Sequence, residues 1–380
     1  VSAVHVREAD AGRASWPATP DGDYARRWIV PFIERGPQRY IENVTCRLSV
    51  VMGATWALPV TETAGRVPDN AYVVSPYTHY VSYLREELRL VRPPAIRKAL
   101  SLVVAGVGRF LRAGAIDRVV TINNWMVSTN LYPALLREDV TDAVDAVRQA
   151  YPDHAIVFRS LNALTAGPVM DILRVSGFTA ILSRRVYVFD ARREELFQRK
   201  CFRKDRARIA SQGYVAVRLT DVDDATARRV VALYRSLYLD KYSRHNPAFT
   251  AGFISLAARE GLLTLYALMR DGRIDGVVGF FERNGIMTTP LLGYDTAMPA
   301  DTGLYRMLTA LLSTLARERG VILHRSSGAA TFKRSRGAVP ALEYSMVDCR
   351  HLSRARQAPW RFLRALTEYV GKPLIERYDR

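Results

Sequence analysis

Residues 262–295 constrain the fold more than any other stretch. They read as three strand-like runs, LLTLYALMR (262–270), IDGVVGFFER (274–283) and IMTTPLLGYD (286–295), connected through Asp271-Gly272 and Asn284-Gly285. Both dipeptides favour the left-handed backbone of tight hairpin turns, whose twist matches that of the strands they join. Three runs joined so closely form an antiparallel meander.

Helices flank it. DDATARRVVALYRSLYLDKY (223–242) has apolar residues at helical spacing, and residues 248–260 give another helix. TGLYRMLTALLSTLARERG (302–320) is a long amphipathic helix stopped at Gly320, followed by the short strand VILHRS (321–326) and then ALEYSMVD (341–348). The first half repeats this order less clearly. CRLSVVMGATWALPV (46–60) and NAYVVSP (70–76) are strand-like, and AIRKALSLVVAGVGRFL (95–111) is a strong helix. A strand (118–127), a helix (138–151), a strand (154–161), PVMDILRVSGF (168–178) and a last strand (181–190) follow.

With 380 residues the chain is too long for one ordinary core and is expected to form two domains, 1–190 and 191–380. Charge divides at the same place. Residues 1–190 hold 22 basic and 18 acidic side chains, a net of +4; residues 191–380 hold 33 and 19, a net of +14. Only six of the cations are lysines, as a GC-rich coding bias would produce, but that bias does not explain the excess of base over acid. A basic second half suits a polyanionic partner. It is concentrated in residues 191–219, where eight cations fall between Arg192 and Arg208 against Glu194, Glu195 and Asp205. Such a run reads either as a solvated linker helix or as an arm lying on phosphates.

Cys46, Cys201 and Cys349 have no metal or disulfide spacing, which fits a reducing cytoplasm. No signal segment is visible, and the longest apolar run, residues 99–108, is about half a bilayer span. A cytoplasmic protein with no membrane span is expected. The six histidines have no metal spacing, and neither a nucleophile elbow nor a Walker loop is present, so no metal and no bound cofactor are expected. His324, at a strand end, reads first as a packed residue.

The order of helices, meander, helix from the last meander strand and further strands resembles the GNAT acyltransferase fold. The implied class is α/β (α+β): two tandem GNAT-like domains, each a mixed, largely antiparallel sheet flanked by helices, the first degenerate. Coenzyme A-using members hold pyrophosphate on a glycine-rich loop after the fourth strand. Here that place is taken by YDTAMPADTGLYRM (294–307), with one glycine, one proline, Asp295 and Asp301, and in the first half by NNWMVSTNLYPALL (123–136), with no glycine but a proline of its own. Prolines remove donors and carboxylates repel phosphate, so neither loop suits coenzyme A well.

Ser326, Ser327 and Gly328, then Phe332-Lys333-Arg334-Ser335-Arg336-Gly337-Ala338, resemble the Ser/Gly turn and F-K-x-x-aromatic-G element of the Fem-type aminoacyl-tRNA transferases. FRKDRARIASQGYVAVRL (202–219) resembles that family's basic lead into its second domain. The likeness covers about 190–348 well and the first half by architecture only, and Arg336 stands where the family has an aromatic. The resemblance implies transfer of an amino acid from an aminoacyl-tRNA co-substrate to an amine-bearing small molecule, natural-product intermediate or peptidoglycan precursor, with tRNA as partner and no DNA. Beside the resemblance, the expected catalytic residues are Lys333 and Asp295. Lys333 reads as a cation for the tetrahedral oxyanion or as a surface lysine in a basic loop. Asp295, at the end of the last meander strand, reads as a group to orient or deprotonate the amine or as a helix-capping or loop acceptor. Arg199, Lys200, Arg203, Lys204, Arg206, Arg325, Arg334, Arg336, Thr302, Gly303 and Tyr305 are the expected donor-side contacts. Tyr77, His79, Asn123, Asn124, Trp125 and Asn130 are the expected acceptor-side contacts, although amides and tyrosines at strand ends also serve to satisfy backbone. An acyltransferase using acyl-CoA or an acyl-carrier protein is the second reading, and a non-catalytic RNA-binding protein the third.

Overall fold

The computed structural model describes residues 4–6, 8–90 and 92–377. Twelve strands form one sheet: β1 (Val4–Val6), β2 (Arg47–Met52), β3 (Ala57–Ala64), β4 (Arg118–Ile122), β5 (Ala155–Leu161), β6 (Thr179–Asp190), β7 (Val215–Leu219), β8 (Thr264–Arg270), β9 (Arg273–Arg283), β10 (Ile286–Tyr294), β11 (Ile322–His324) and β12 (Val339–Asp348). The helices are α1 (Pro20–Arg35), α2 (Tyr83–Glu87), α3 (Pro94–Ala113), α4 (Arg137–Ala150), α5 (Gly167–Val175), α6 (Lys200–Ser211), α7 (Asp224–Arg235), α8 (Ala251–Arg259), α9 (Leu304–Glu318), α10 (Ala330–Ser335), α11 (Arg354–Leu366) and α12 (Lys372–Arg377).

The strand order is β1-β2-β3-β4-β5-β12-β6-β11-β10-β9-β8-β7. Exchanging β1–β6 with β7–β12 reverses this order onto itself. Both parallel pairs, β4·β5 and β10·β11, fall at equivalent places, and their neighbours in each half are antiparallel. The halves also trade strands: β12, from the end of the chain, fills the gap between β5 and β6, while β6 pairs with β11. Thus the sheet runs through the middle of the molecule without an edge, and an edge is what would invite pairing with another chain.

The cores are shared too. Trp28 of α1 is fully buried and lies 5.9 Å, ring to ring, from both Phe253 of α8 and Phe281 of β9. Arg283 on β9 donates to both carboxylate oxygens of Asp21 on α1, at 2.6 and 2.7 Å. The first long helix therefore closes the core of the second half. Truncating a buried aromatic of this kind costs about 3–5 kcal/mol.

Two expected elements differ. Residues 46–60 form two strands, because Gly53 turns the chain against the Trp56 ring, where a Cβ would come within 2.5 Å of the indole. Residues 70–76 form turns instead of a strand: the N–H groups of Ala71 and Tyr72 go to carbonyls of the Asn43 and His245 loops. Between β9 and β10 the connection is the tight Asn284-Gly285 turn, both residues at positive φ. Between β3 and β4, the equivalent place, the chain runs through residues 65–117. That insertion carries α2, α3 and a π-helical turn, Thr78–Ser82.

Candidate functional site

Parallel strands β10 and β11 are paired over only three positions, ending at Thr288↔His324. Pro290 follows, and the β9–β10 register slips between Thr288 and Leu291, so β10 turns away from its neighbour. Into the resulting gap project the loop after β11 and the start of α9.

Lys333 holds that loop. It is 5 % exposed, and its ammonium donates to the carbonyls of Arg325 at 2.6 Å, Ser327 at 2.7 Å and Ser326 at 3.3 Å. The clamp accounts for a strained turn in which Ser326 (φ 55°) and Ala329 (φ 48°) adopt left-handed backbone. Burial, followed by the charges of Arg325 and Arg184, pulls Lys333 well below the usual lysine range. Three carbonyls that call for three N–H donors work the other way. The expected turn from Phe332 onward is a short helix, α10, and Lys333 sits on its inner face.

His324 is 1 % exposed, and burial lowers its pKa to about 4, so the ring is neutral near pH 7. Its Nδ1 accepts from the Ser326 N–H at 3.2 Å, which puts the proton on Nε2, 3.6 Å from Oε2 of Glu343. Neither Nε2 nor Oε2 has a hydrogen-bond partner among the described residues. The other oxygen of Glu343 accepts from Arg184 at 2.7 Å, and the two face each other across β12 and β6. Arg184 also donates to the Ser128 carbonyl at 2.6 Å. Arg159 donates to the Val73 carbonyl and to Oδ1 of Asn124, and its guanidinium lies 5.7 Å from the Tyr72 ring. His79 Nε2 lies 3.1 Å from Ser183 Oγ; burial, then the charges of Arg159 and Arg184, lowers its pKa to about 3. A polar seam thus runs between the halves, with an open acceptor and an open donor facing each other inside it.

Of the residues expected on the acceptor side, His79 belongs to this seam. Asn123, Asn124 and Asn130 instead satisfy the loop after β4: Asn123 donates to the Leu131 carbonyl, Asn124 to the Val73 carbonyl, and Asn130 accepts from the Trp125 N–H. Trp125 is core, with its indole N–H on Asn123 Oδ1. Tyr77 is buried between Arg66 and Arg112, its N–H donating to Asp117. Those five are turn and core residues, of which Asn124 also accepts from Arg159 of the seam.

Asp295 joins a different cluster. It accepts from Arg229 at 3.0 Å and from the Ala297 N–H at 3.1 Å, and shares no partner with Lys333. Burial pushes its pKa up, but the Arg229 hydrogen bond, the Ala297 N–H and the charges of Arg229 and Arg273 win and leave it below the usual carboxylate range. A carboxylate so held is a poor base.

Arg336 is also committed. Its guanidinium forks onto buried Asp205 at 2.7 and 2.6 Å and stacks 3.5 Å over the Phe332 ring, so it ties α10 to α6 rather than standing free for phosphate. In place of the missing aromatic, Arg336 covers one. Arg325 donates to Ser313 Oγ at 2.8 Å and lies over Phe189; burial lowers its pKa to about 10, and its Nη1 has no partner among the described residues. Arg334 is half-buried on α10. Tyr305 packs 5.0 Å from Phe332, and burial raises its pKa to about 12.

Arg199, which precedes α6, and Lys200, Arg203, Lys204 and Arg206 on it are exposed and make no salt bridge among the described residues. The helix lies along α9. Arg208 donates to the Asp301 carbonyl at 2.6 Å and presses on Gly303, where a Cβ would come within 2.8 Å of its side chain. Gly303 has φ 74° and opens α9, with Thr302 buried before it. An arginine therefore covers the place where a GNAT pyrophosphate would meet the helix.

Sequence reasoning missed Arg159, Arg184 and Glu343. The correspondence is visible only in the fold: Phe158-Arg159-Ser160 and His324-Arg325-Ser326 start at equivalent last pairs of the two parallel ladders, and both serines have φ near +60°, 63° and 55°.

These features define a tandem GNAT fold with exchanged strands and a buried polar seam between its halves. Residues 197–334 match the family model described as an acetyltransferase (GNAT) domain. The structure of FemX superposes with a TM-score of 0.54 at 9 % identity, covering 95 % of this chain and 99 % of that one. The C-terminal domain of a putative lysylphosphatidylglycerol synthetase from Agrobacterium fabrum (TM-score 0.44, 14 % identity, 61 % of this chain and 77 % of that one) also aligns. So does L-PGS from Bacillus licheniformis (0.44, 13 %, 62 % and 78 %). No curated protein matches by sequence. The chain has a Fem-like tandem GNAT fold, and its second half carries a GNAT acyltransferase domain.

Proposed function

We propose that the protein transfers an aminoacyl group from aminoacyl-tRNA to an amine, forming an amide at the seam between its halves. The observation that carries the donor side is the placement of α6: the helix packs along α9 with its Arg208 at the opening of α9, and it carries, with Arg199 before it, five exposed cations that make no salt bridge among the described residues. A row of charge that long suits a nucleic-acid backbone better than a single pyrophosphate. FemX supplies the precedent for the fold.

In this reading the acyl carbonyl sits at the gap between β10 and β11. An amine attacks it, and the tetrahedral intermediate collapses with the ribose oxygen leaving. Lys333 supplies positive charge to the oxyanion. To donate directly it gives up the long bond to Ser326 and keeps the two short ones. Glu343, with one oxygen pinned by Arg184 and the other open, accepts the amine proton and returns it to the leaving ribose oxygen, and it replaces Asp295 in that role. His324 Nε2–H and His79 line the acceptor path. Acyl-CoA or acyl-carrier-protein donors remain the alternative, which Arg208 over the start of α9 opposes.

Neutralising Arg199, Lys200, Arg203 and Lys204 together tests the donor. Affinity for unfractionated tRNA should fall, and the slope of log K against log salt should shrink by about 3, at roughly 0.9 or less per contact, with the melting curve unchanged. An unaltered affinity and slope would reduce α6 to a solvated helix.

A further inference from the structure

The insertion between β3 and β4 carries a second feature that the transfer reaction does not use. Every residue from Arg92 to Val103 is exposed, so the first half of α3 projects from the body uncovered. The projecting part is apolar. Ile96 is 53 % exposed, Leu100 39 %, Val103 61 % and, on the next turns, Phe110 42 %. At about 100° per residue, Ile96, Leu100, Val103, Val107 and Phe110 fall within a sector roughly 80° wide. The side facing the protein is a different one, marked by buried Val104, Gly108 and Leu111. Phe110 meets Phe362 of α11 at 5.3 Å, edge to face, so the stripe continues onto a second helix with Phe362 exposed and, on the π-helical turn Thr367–Gly371 that follows it, Tyr369 and Val370.

Charge around the α3 stripe is basic, and Glu368, beside Tyr369 on its continuation, is paired with Lys372 at 2.8 Å. Helix α3 contains Arg97, Lys98, Arg109 and Arg112 and no acidic residue; Arg361 and Arg364 add to it from α11. Arg97, Lys98 and Arg109 are exposed and make no salt bridge among the described residues. Apolar residues in one stripe, flanked by cations, are what a helix lying in the plane of an anionic lipid surface presents. No helix among the described residues is long and apolar enough to cross a membrane.

We propose that α3, with the adjoining face of α11, docks the protein onto an anionic lipid bilayer surface, the stripe from Ile96 to Phe110 entering the headgroup boundary. The same insertion supplies Tyr72 and His79 to the polar seam, so a docked α3 holds the acceptor side of the site near the lipid. Charge complementarity selects this occupant. A second copy of the chain would bring the same unpaired cations face to face.

The test is flotation of the full chain with phosphatidylcholine vesicles, with and without phosphatidylglycerol, and without tRNA or substrates, so that its outcome is independent of the donor reading. The protein should partition onto the anionic vesicles and much less onto neutral ones. Val103→Ser with Phe110→Ser should lower partitioning roughly tenfold or more, since both side chains lose their apolar burial. Arg97→Gln with Lys98→Gln and Arg109→Gln should lower it comparably. All five positions are exposed and only Phe110 gives up a ring contact, with Phe362, so melting curves should stay close to the parent's. Equal vesicle binding by the serine variant would trace attraction to the overall charge and overturn the proposal. So would a dimer, seen by sedimentation equilibrium and broken by that variant, in a protein that ignores vesicles.

Discussion

Replacing Lys333 with methionine separates clamp from catalyst in one protein. The substitution keeps the length of the side chain and removes an ammonium that holds three carbonyls at 2.6, 2.7 and 3.3 Å. Hydrogen bonds from a charged donor contribute about 1.5–3 kcal/mol each. Relief from burying the charge offsets part of that, and water reaches Ser327, which is exposed. A net loss of roughly 2–4 kcal/mol follows. At about 2.1 cal/mol/K per residue, 380 residues unfolding together have an entropy near 0.8 kcal/mol/K, so Tm should drop by roughly 3–5 °C. Single-turnover transfer at saturating donor should fall about a hundred- to a thousand-fold, the usual loss for one oxyanion donor, while donor binding changes little, because that charge develops only in the transition state. Lys333→Arg should rescue poorly, since a planar guanidinium cannot address three carbonyls fanned around one nitrogen. Calorimetry and rapid-quench transfer read the two effects separately. An unchanged Tm would refute the clamp, and wild-type turnover would refute the catalytic role.

Three further outcomes follow from the same geometry. Glu343→Gln keeps a hydrogen bond to Arg184 but cannot take a proton, so single-turnover transfer should fall at least about a hundredfold with tRNA affinity unchanged; parent-like transfer would remove Glu343 from the chemistry. Arg336→Ala should destabilise by about 3 kcal/mol, because it leaves the buried Asp205 carboxylate only the longer Arg306 contact at 4.0 Å, and a melting curve like the parent's would refute that pairing. Stability should fall as pH drops below about 6.5, because His79 and His324, with pKa values lowered by burial to about 3 and 4, favour the neutral form in the folded state. Asp117, raised by burial to about 6, has the opposite sign: its ionised form is disfavoured in the fold, so it adds stability as pH falls from about 6 toward 4. Asp117→Asn should therefore steepen the acid loss in urea titrations, and an unchanged pH profile would show that this carboxyl is not buried in solution.

The meander of β8–β10 and helix α9 were legible because their signals are local: turn dipeptides at fixed spacing and a 3.6-residue apolar period. The exchange of β6 and β12 was not, because strand pairing is decided by partners about 150 residues away in sequence, such as Glu343 and Arg184. The same distance hid the polar seam. Nothing near Arg159 or Glu343 marks them, and each acquires meaning only when the sheet brings the halves together. Lys333 stood out through its setting, a lone lysine beside a Ser/Gly turn, yet its three carbonyl partners depend on the left-handed backbone at Ser326 and Ala329. The asparagines after β4 attracted attention for the opposite reason: their polarity is local, and so is its use. Residues 65–117 mixed both kinds. The period of α3 is plain in the sequence, whereas its uncovered end is a property of the assembled molecule.

Competition between tRNA and coenzyme A tests the central claim most directly. Labelled tRNA is titrated with the protein at several salt concentrations, and coenzyme A is then added at saturating levels. The account predicts tight binding at low salt, a log-log slope of about −3 to −5 from the α6 cations, and no displacement by coenzyme A. Saturable binding of coenzyme A that depends on its adenosine diphosphate, with tRNA bound weakly or not at all, would contradict it.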